Sequence, residues 1–400
     1  MISGHRTMKI LIVKLSAIGD VIHTLPALDL LHKKIPDGSI TWVVEEKAAG
    51  IVLGHPHLHK VIVSKRKQWL KNLSRPARWL TTLREVITFI KELRQETYDL
   101  VIDFQGLFKS ALLVMLSRGI HTVGYDKTRE LSYLILRHRM APLPADAHAV
   151  SKNIALVKHA LNLASSAQVT DTVKRRALPD PCPVEHQSTA ISAFDGDAMG
   201  GAVMLGEKDE RSVEALLRSC GVDPASPLVL INAPAGWETK RWDAQRTAAV
   251  ADRLISRYGA RIMYTGSGAD SAFIDEIIDR MRYPAINAAG RTSLKELACL
   301  IKRAQLMITT DSGPMHLAAT VGTPIVAIFG PTAPWRTGPC TTRAHIVRKE
   351  VPCSPCYRRR CDSMLCMRQI EVDDVMEAAG LFMGTSCASH TSQVPGVIRS

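Results

Sequence analysis

Twice along its 400 residues the chain repeats one rhythm: a short strand of purely apolar type, an amphipathic stretch, and another such strand. The first series opens with Ile10-Leu11-Ile12-Val13. Apolar residues at Val21, Leu25, Leu28 and Leu31 follow at helical spacing. Then come Thr41-Trp42-Val43-Val44, Val61-Ile62-Val63, a helical stretch over about 80–95, and Leu100-Val101-Ile102. The second series runs through strands 228–231, 261–264, 306–309 and 325–328, with helices over 243–257 and 314–321, and a Ser293/Glu296 capping box opening one more. Strands that are apolar on both faces and separated by helices belong in parallel sheets covered on both sides. The expected fold class is therefore α/β, with two doubly wound, Rossmann-like domains facing each other. Ligands of such sheets sit where the carboxyl ends of the strands meet. The expected boundaries are 8–165 for the first domain and 226–382 for the second. Residues 166–225, rich in Ser, Ala, Asp, Gly and Pro, read as an irregular linker, and 383–400 as a loose tail.

Two domains suit the length. No run approaches the ~18 apolar residues of a bilayer span, and Ile10–Val13 is too short for a signal-peptide core, so a cytoplasmic chain with a working start at Met8 is expected. The net charge of +13 favours acidic partners.

Gly19-Asp20 falls between the first strand and its helix, at the cleft edge. An Asp there is either a helix cap or a base held ionised by the helix dipole. Asp311-Ser312-Gly313-Pro314-Met315-His316 follows a strand and opens a helix; Pro314 fits the first turn, and free backbone donors there suit a diphosphate. Gly236-Trp237-Glu238-Thr239-Lys240-Arg241-Trp242 follows strand 228–231, and Lys240 is placed to neutralise a departing diphosphate. Lys65, Arg66, Lys67, Lys71, Arg75 and Arg78 alternate with Trp69 and Trp79 and no acid, which suits an anionic membrane or glycolipid, single-stranded nucleic acid, or a solvated loop. Cys353, Cys356, Cys361 and Cys366 contain one C-x2-C knuckle where structural zinc sites of this kind use two, so reduced thiols are favoured over a metal. Asp195-Gly196-Asp197 resembles a metal-binding aspartate pair but lies in the linker instead of after a strand. No G-x-G-x-x-G follows the first strand, and no phosphate loop of the G-x4-G-K-[ST] type is present.

Several motifs, in order, resemble bacterial lipopolysaccharide heptosyltransferases, glycosyltransferase family 9. They are Lys14 through Leu28, Tyr98 through Ser110, Lys240-Arg241-Trp242, Asp311 through His316, Phe329-Gly330-Pro331-Thr332 and Arg336-Thr337-Gly338-Pro339. The resemblance implies a GT-B fold, with the last helix crossing back to the first domain. It also implies inverting, metal-independent transfer of L-glycero-D-manno-heptose from ADP-heptose to the Kdo-containing inner core, with no cofactor. By this resemblance Asp20 is the base and Lys240 the diphosphate lysine. Asp311, Ser312, Gly313 and His316 grip the donor. Asp270 stands where the family often has a ribose-binding Glu, and Gly236 replaces a hydroxyl residue, leaving phosphate contact to its backbone. Ala333-Pro334 replaces the family's Asp-Pro. Lys65, Arg66, Lys67, Lys109, Arg129 and Glu130 form the expected acceptor side, with Arg129-Glu130 resembling the branch that adds the first heptose to Kdo. The cysteine run resembles other branches. The implied partners are ADP-heptose, Kdo-lipid A and an anionic membrane surface, with no nucleic acid, for a protein peripheral on the inner membrane. The alternatives are another nucleotide-sugar donor on the same fold, or a non-catalytic relative that binds nucleotide or lipid.

Overall fold

The computed structural model describes residues 7–128, 130–169 and 203–384. The Asp195-Gly196-Asp197 pair, Arg129, most of the central linker and the tail beyond 384 lie outside the described residues. The first domain contains β1 (Lys9–Val13), α1 (Ile18–Ile22), α2 (Leu25–Lys34), β2 (Ser39–Glu45), α3 (Glu46–Val52), β3 (Lys60–Ser64), α4 (Arg66–Asn72), α5 (Trp79–Leu93), β4 (Tyr98–Asp103), α6 (Phe108–Leu116), β5 (Gly119–Tyr125), β6 (His138–Met140) and α7 (Ala149–Val169). After α8 (Glu207–Ser219), the second contains β7 (Leu228–Asn232), α9 (Ala244–Tyr258), β8 (Arg261–Tyr264), α10 (Ser271–Ile278), β9 (Ile286–Asn287), α11 (Leu294–Arg303) and β10 (Leu306–Thr310). It ends with α12 (Gly313–Val321), β11 (Ile325–Ile328), α13 (Pro334–Thr337), β12 (Ala344–Val347), α14 (Leu365–Arg368) and α15 (Val372–Met383).

Each domain has a six-stranded parallel sheet, ordered β3-β2-β1-β4-β5-β6 in the first and β12-β11-β10-β7-β8-β9 in the second. The order reverses beside β1 and β7, so the crevices open there. Central strands are apolar throughout because helices cover both faces: Ile10 through Val13 are fully buried between β2 and β4. The capping box forms as read, with the Ser293 amide donating to Glu296 Oε2 at 2.7 Å and the Glu296 amide donating to Ser293 Oγ. Gly259 ends α9 at φ +62°, a conformation that costs glycine nothing.

Two expectations are corrected. Glu207–Ser219, within the stretch read as irregular linker, is a regular helix. Its short stripe of Val213 and Leu217 packs into the core beside α11, and Arg303 pairs with Glu214 at 2.8 Å. The polar residues around that stripe hid it. The last helix, α15, does not cross back to the first domain. Val375, Met376, Ala379 and Met383 are buried in the core of the second, where α15 lies on α9 and β10–β12.

The domains meet through α1 and α12, and through α3 and α11. Both contacts use glycine to bring backbones close. A Cβ on Gly19 would lie 2.4 Å from His316 Cδ2, and one on Gly313 would lie 3.1 Å from Ile18. Gly50 faces Leu294 in the same way, and Lys295 Nζ donates to the Leu53 carbonyl at 2.8 Å. Helical Gly→Ala usually stabilises, so the sign at Gly19 is diagnostic. Gly19→Ala should instead cost about 1–3 kcal/mol, as overpacking does, measured by urea unfolding monitored at the tryptophans.

Candidate active site

Asp20 occupies the first-domain side. The loop leading to it is held by Gln105, whose Oε1 accepts from the Leu15 and Ser16 amides at 3.0 and 3.1 Å. Asp20 Oδ2 accepts from the Ala17 amide at 3.0 Å, so the carboxylate does cap α1. It also lines a cavity of about 300 Å³ together with Lys14, His23, Tyr125, Lys152 and Asn153. The cap and base readings are thus compatible: the hydrogen bond aims the carboxylate, and the cavity is where a sugar hydroxyl can meet it. Lys14 is buried beneath, donating to the Phe104 carbonyl at 2.8 Å. Burial pulls its pKa down, opposed by Asp20 and Asp103.

Across the interdomain contact, Lys240 Nζ donates to Asp311 Oδ2 at 2.7 Å and stands 4.5 Å from the centre of the Trp237 ring. Thr332 Oγ1 donates to the same Asp311 oxygen at 2.7 Å. Asp311 is buried, and its carboxylate serves to fix the lysine. Ser312 Oγ donates to Asn232 Oδ1 at 3.0 Å, just ahead of the first amides of α12. Gly313 is spent on the approach to Ile18. Gly236 is exposed with open space around it, which suits a backbone contact to a ligand. Asp270 Oδ2 accepts from the Ser267 amide and hydroxyl at 2.8 and 2.6 Å, so its short side chain is engaged in a turn. Ala333 is buried and precedes α13 without a side-chain cap.

Three histidines close the seam between the two halves. The His23 ring lies 4.2 Å from that of His316 and 5.3 Å from that of His148, edge to face. His23 and His316 are buried, and His23 Nδ1 and Nε2 and His316 Nδ1 have no hydrogen-bond partner among the described residues. Burial, with the other two rings adding to it, holds His23 well below the ordinary histidine range. Burial, His148 and Lys240 bring His316 to about 3. At neutral pH both rings are uncharged.

Three of the cations expected on the acceptor side, Arg66, Lys67 and Lys109, converge on a carboxylate that the sequence reading missed. Glu45, at the end of β2, is buried, and its Oε1 accepts from Arg66 Nη2 and from Lys109 Nζ, each at 3.1 Å. Lys67 Nζ lies 3.4 Å from Oε2. Burial works to raise the Glu45 pKa, and the hydrogen bonds from Lys109 and Arg66 outweigh it, leaving the group ionised. Lys109 also donates to Ser16 Oγ at 2.7 Å, which ties this cluster to the loop carrying Asp20. Three cations around one carboxylate leave a net positive rim. Lys65, exposed, begins α4 beside it. Glu130 Oε2 accepts from the Phe108 amide at 2.7 Å and so caps α6.

A family model described as glycosyltransferase family 9 (heptosyltransferase) matches residues 86–366. The chain belongs to that family. It is a glycosyltransferase. It is 30% identical over 359 residues to lipopolysaccharide heptosyltransferase 1 of Pseudomonas aeruginosa, covering 88% of this chain and 87% of that one. The Escherichia coli K12 protein of the same name is 28% identical over 334 residues, 83% of this chain and 90% of that one. Among solved structures, the glycosyl transferase family 9 protein from Veillonella parvula superposes with a TM-score of 0.71 at 23% identity, covering 95% and 98% of the two chains. E. coli heptosyltransferase WaaC with ADP gives 0.66 at 23%, covering 94% and 99%. These likenesses establish the two-domain GT-B architecture.

In this family 9 member, Glu45, Thr332, Asn232 and Trp237 are the site residues that sequence reasoning missed. Thr332 and Trp237 lie inside motifs already singled out, and Glu45 ends a strand on the same edge as Asp20; those positions were the available signals. Cys353, Cys356 and Cys361 are unpaired thiols on the loop that packs over Gly330-Pro331, where the Cys356 amide donates to the Pro331 carbonyl at 3.0 Å, and Cys366 is an unpaired thiol buried in α14. The ligating atoms of Asp29, His55 and His57 lie within 4.8 Å of one another. The His57 amide donates to His55 Nδ1 at 3.2 Å, so a neutral His55 carries its proton on Nε2. Nε2 then faces Asp29 Oδ1 at 4.0 Å, while the hydrogen bond to that oxygen comes from His57 Nδ1 at 2.9 Å.

Histidines held neutral in the fold take up fewer protons than they do unfolded. Stability from the seam is complete above about pH 6.5 and is lost as pH falls toward the folded values, that of His316 being about 3. The slope is about 1.4 kcal/mol per pH unit for each histidine. Thermal unfolding between pH 7 and 5 should show Tm falling with acid. His316→Gln should flatten that slope; an equal slope in the variant would remove the seam as its cause.

Proposed function

We propose that the chain transfers L-glycero-D-manno-heptose from ADP-heptose to Kdo in the inner core of lipopolysaccharide, with inversion, at the cytoplasmic side of an anionic inner membrane. The relatives named lipopolysaccharide heptosyltransferase 1 favour this donor and acceptor. The observation that carries the reading is that Asp20, on α1, and Lys240, held by the residue before α12, stand on the two sides of the α1–α12 contact. Gly19 touches His316 of α12, and Asp311, which holds Lys240, stands directly before that helix.

In the reaction, Asp20 takes the proton from the acceptor hydroxyl as its oxygen attacks the anomeric carbon. The bond from that carbon to the diphosphate oxygen breaks, and its electrons leave with ADP. Attack from the Asp20 side with departure toward Lys240 gives inversion in one displacement. Lys240, the α12 amides and Ser312 stabilise the charge that grows on the diphosphate. Lys240 must turn from Asp311 to the phosphate, and Trp237 keeps it nearby as it does so. On the acceptor side, the rim formed by Arg66, Lys67 and Lys109 receives the acidic groups of Kdo and lipid A. Glu45 holds those cations in one arrangement, a positioning role.

Asp20→Asn should lower turnover by ~10²-fold or more while leaving ADP affinity within about twofold in calorimetry. Near-normal turnover, or tighter binding of UDP than ADP to the parent chain, would refute the mechanism or the donor respectively. Glu45→Gln releases Arg66, Lys67 and Lys109 from their shared partner. The KM for acceptor should rise by about tenfold, roughly the worth of one charge-assisted hydrogen bond, with the KM for ADP-heptose and the ADP affinity unchanged. A rise in both KM values would show general misfolding instead of positioning.

A further inference from the structure

Large apolar side chains are exposed unevenly in this molecule. Of nineteen exposed among the described residues, twelve fall between Leu70 and Leu134. Apart from Ile120 on β5, they lie on or at the ends of α4, α5, α6 and the turn at Ser132–Ile135. Parallel connections are right-handed, and in the order β3-β2-β1-β4-β5-β6 the crossings β3→β4 and β4→β5 run the same way. The helices α4, α5 and α6 therefore share one face of the first sheet, opposite α2 and α3. Their inner sides close a small core that includes Phe89, Leu93, Leu113 and Val114. Their outer sides are the exposed ones.

Helix α5 shows the anomaly most plainly. Phe89 and Leu93 point inward, as an amphipathic helix requires, yet Leu80, Leu83 and Ile87 form a second apolar stripe on the outer side, with Leu80 75% exposed. Polar groups have gone inside instead: Asn72 and Thr82 are buried and hydrogen-bonded to each other at 3.1 Å. A helix apolar on two sides has a partner on each. On α6, Phe108 is 65% exposed, and Met115 stands out in the same way.

Charge identifies the outer partner. Residues 65–94 hold nine Lys or Arg against two Glu, more than half of the chain's net +13. A symmetric dimer through this face would set each basic surface against its own copy. We infer that the outer face of α4, α5 and α6 docks on an anionic lipid bilayer, with Trp79, Leu80, Leu83, Ile87 and Phe108 entering the acyl boundary and the cations meeting the headgroups. This deepens the reading of the acceptor as a lipid-anchored sugar. The face ends at Arg66 and Lys109, the first turns of α4 and α6, so a bilayer seated on it presents its headgroups at the rim around Glu45.

The test is co-sedimentation with vesicles of phosphatidylglycerol and phosphatidylethanolamine, which contain no sugar acceptor. The full chain should bind these, release in high salt, and ignore phosphatidylcholine vesicles. Leu80→Glu/Leu83→Glu should lower the bound fraction at least about tenfold, with circular dichroism and ADP affinity unchanged. Bromine-labelled acyl chains should quench tryptophan emission, and Trp79→Phe should remove most of that quenching. Equal binding by the double variant overturns the proposal. So does a dimer that the double variant splits while vesicles fail to bind the parent chain. Turnover on a de-acylated, water-soluble acceptor separates this from the catalytic reading: the double variant should match the parent there, and loss of turnover in both would fail the activity and leave the docking result standing.

Discussion

The close approach of α1 to α12 is the constraint on which the rest of this molecule depends. Two glycines make it possible, because at either position one methyl group would meet the opposite helix. Without that approach Asp20 and Lys240 belong to separate domains with no fixed relation. With it, the proposed base and the proposed diphosphate cation stand on the two sides of one short contact. Burying two neutral imidazoles, His23 and His316, in the seam is the accompanying cost, since their unpartnered ring nitrogens are deprived of water.

Much of the architecture was legible in the sequence. Strands buried on both faces announce themselves as continuous apolar runs, and all eight that were read, from Ile10–Val13 to Ile325–Ile328, are strands of the two sheets. The elements that escaped were those with weak patterns. α8 has only a short stripe amid charged residues. α15 has a clear stripe, but a stripe does not say which domain it faces, and only packing against α9 and the second sheet decided that.

The candidate site divides the same way. Positions at strand ends pointed to Asp20, Lys240 and the 311–316 turn, because backbone topology brings such ends to one edge. What each side chain touches was not legible. Asp311 looks in sequence like a residue that reaches toward a ligand, but it is buried under Lys240 and Thr332. Glu45 was invisible because its partners come from 21 and 64 residues away. Pairings at that distance leave no local spacing to read. The basic run beginning at Lys65 was open to several partners, and the fold separates its members: Arg66 and Lys67 turn to Glu45, while Trp79 is exposed at the start of α5.

The tether between Lys240 and Asp311 bears on how the enzyme behaves between turnovers. A lysine already matched with a buried carboxylate presents little unbalanced field to passing anions, so ordinary cellular phosphate gains little by entering. A nucleotide diphosphate carries more charge and is anchored by its base and ribose as well, so it can draw the ammonium away. In the mechanism proposed above, the ammonium would fall back to Asp311 when product departs, and that return would compete with the outgoing ADP for the same cation. On that mechanism the carboxylate would act as an internal rival of the leaving group, keeping the resting cleft quiet and hastening its clearance.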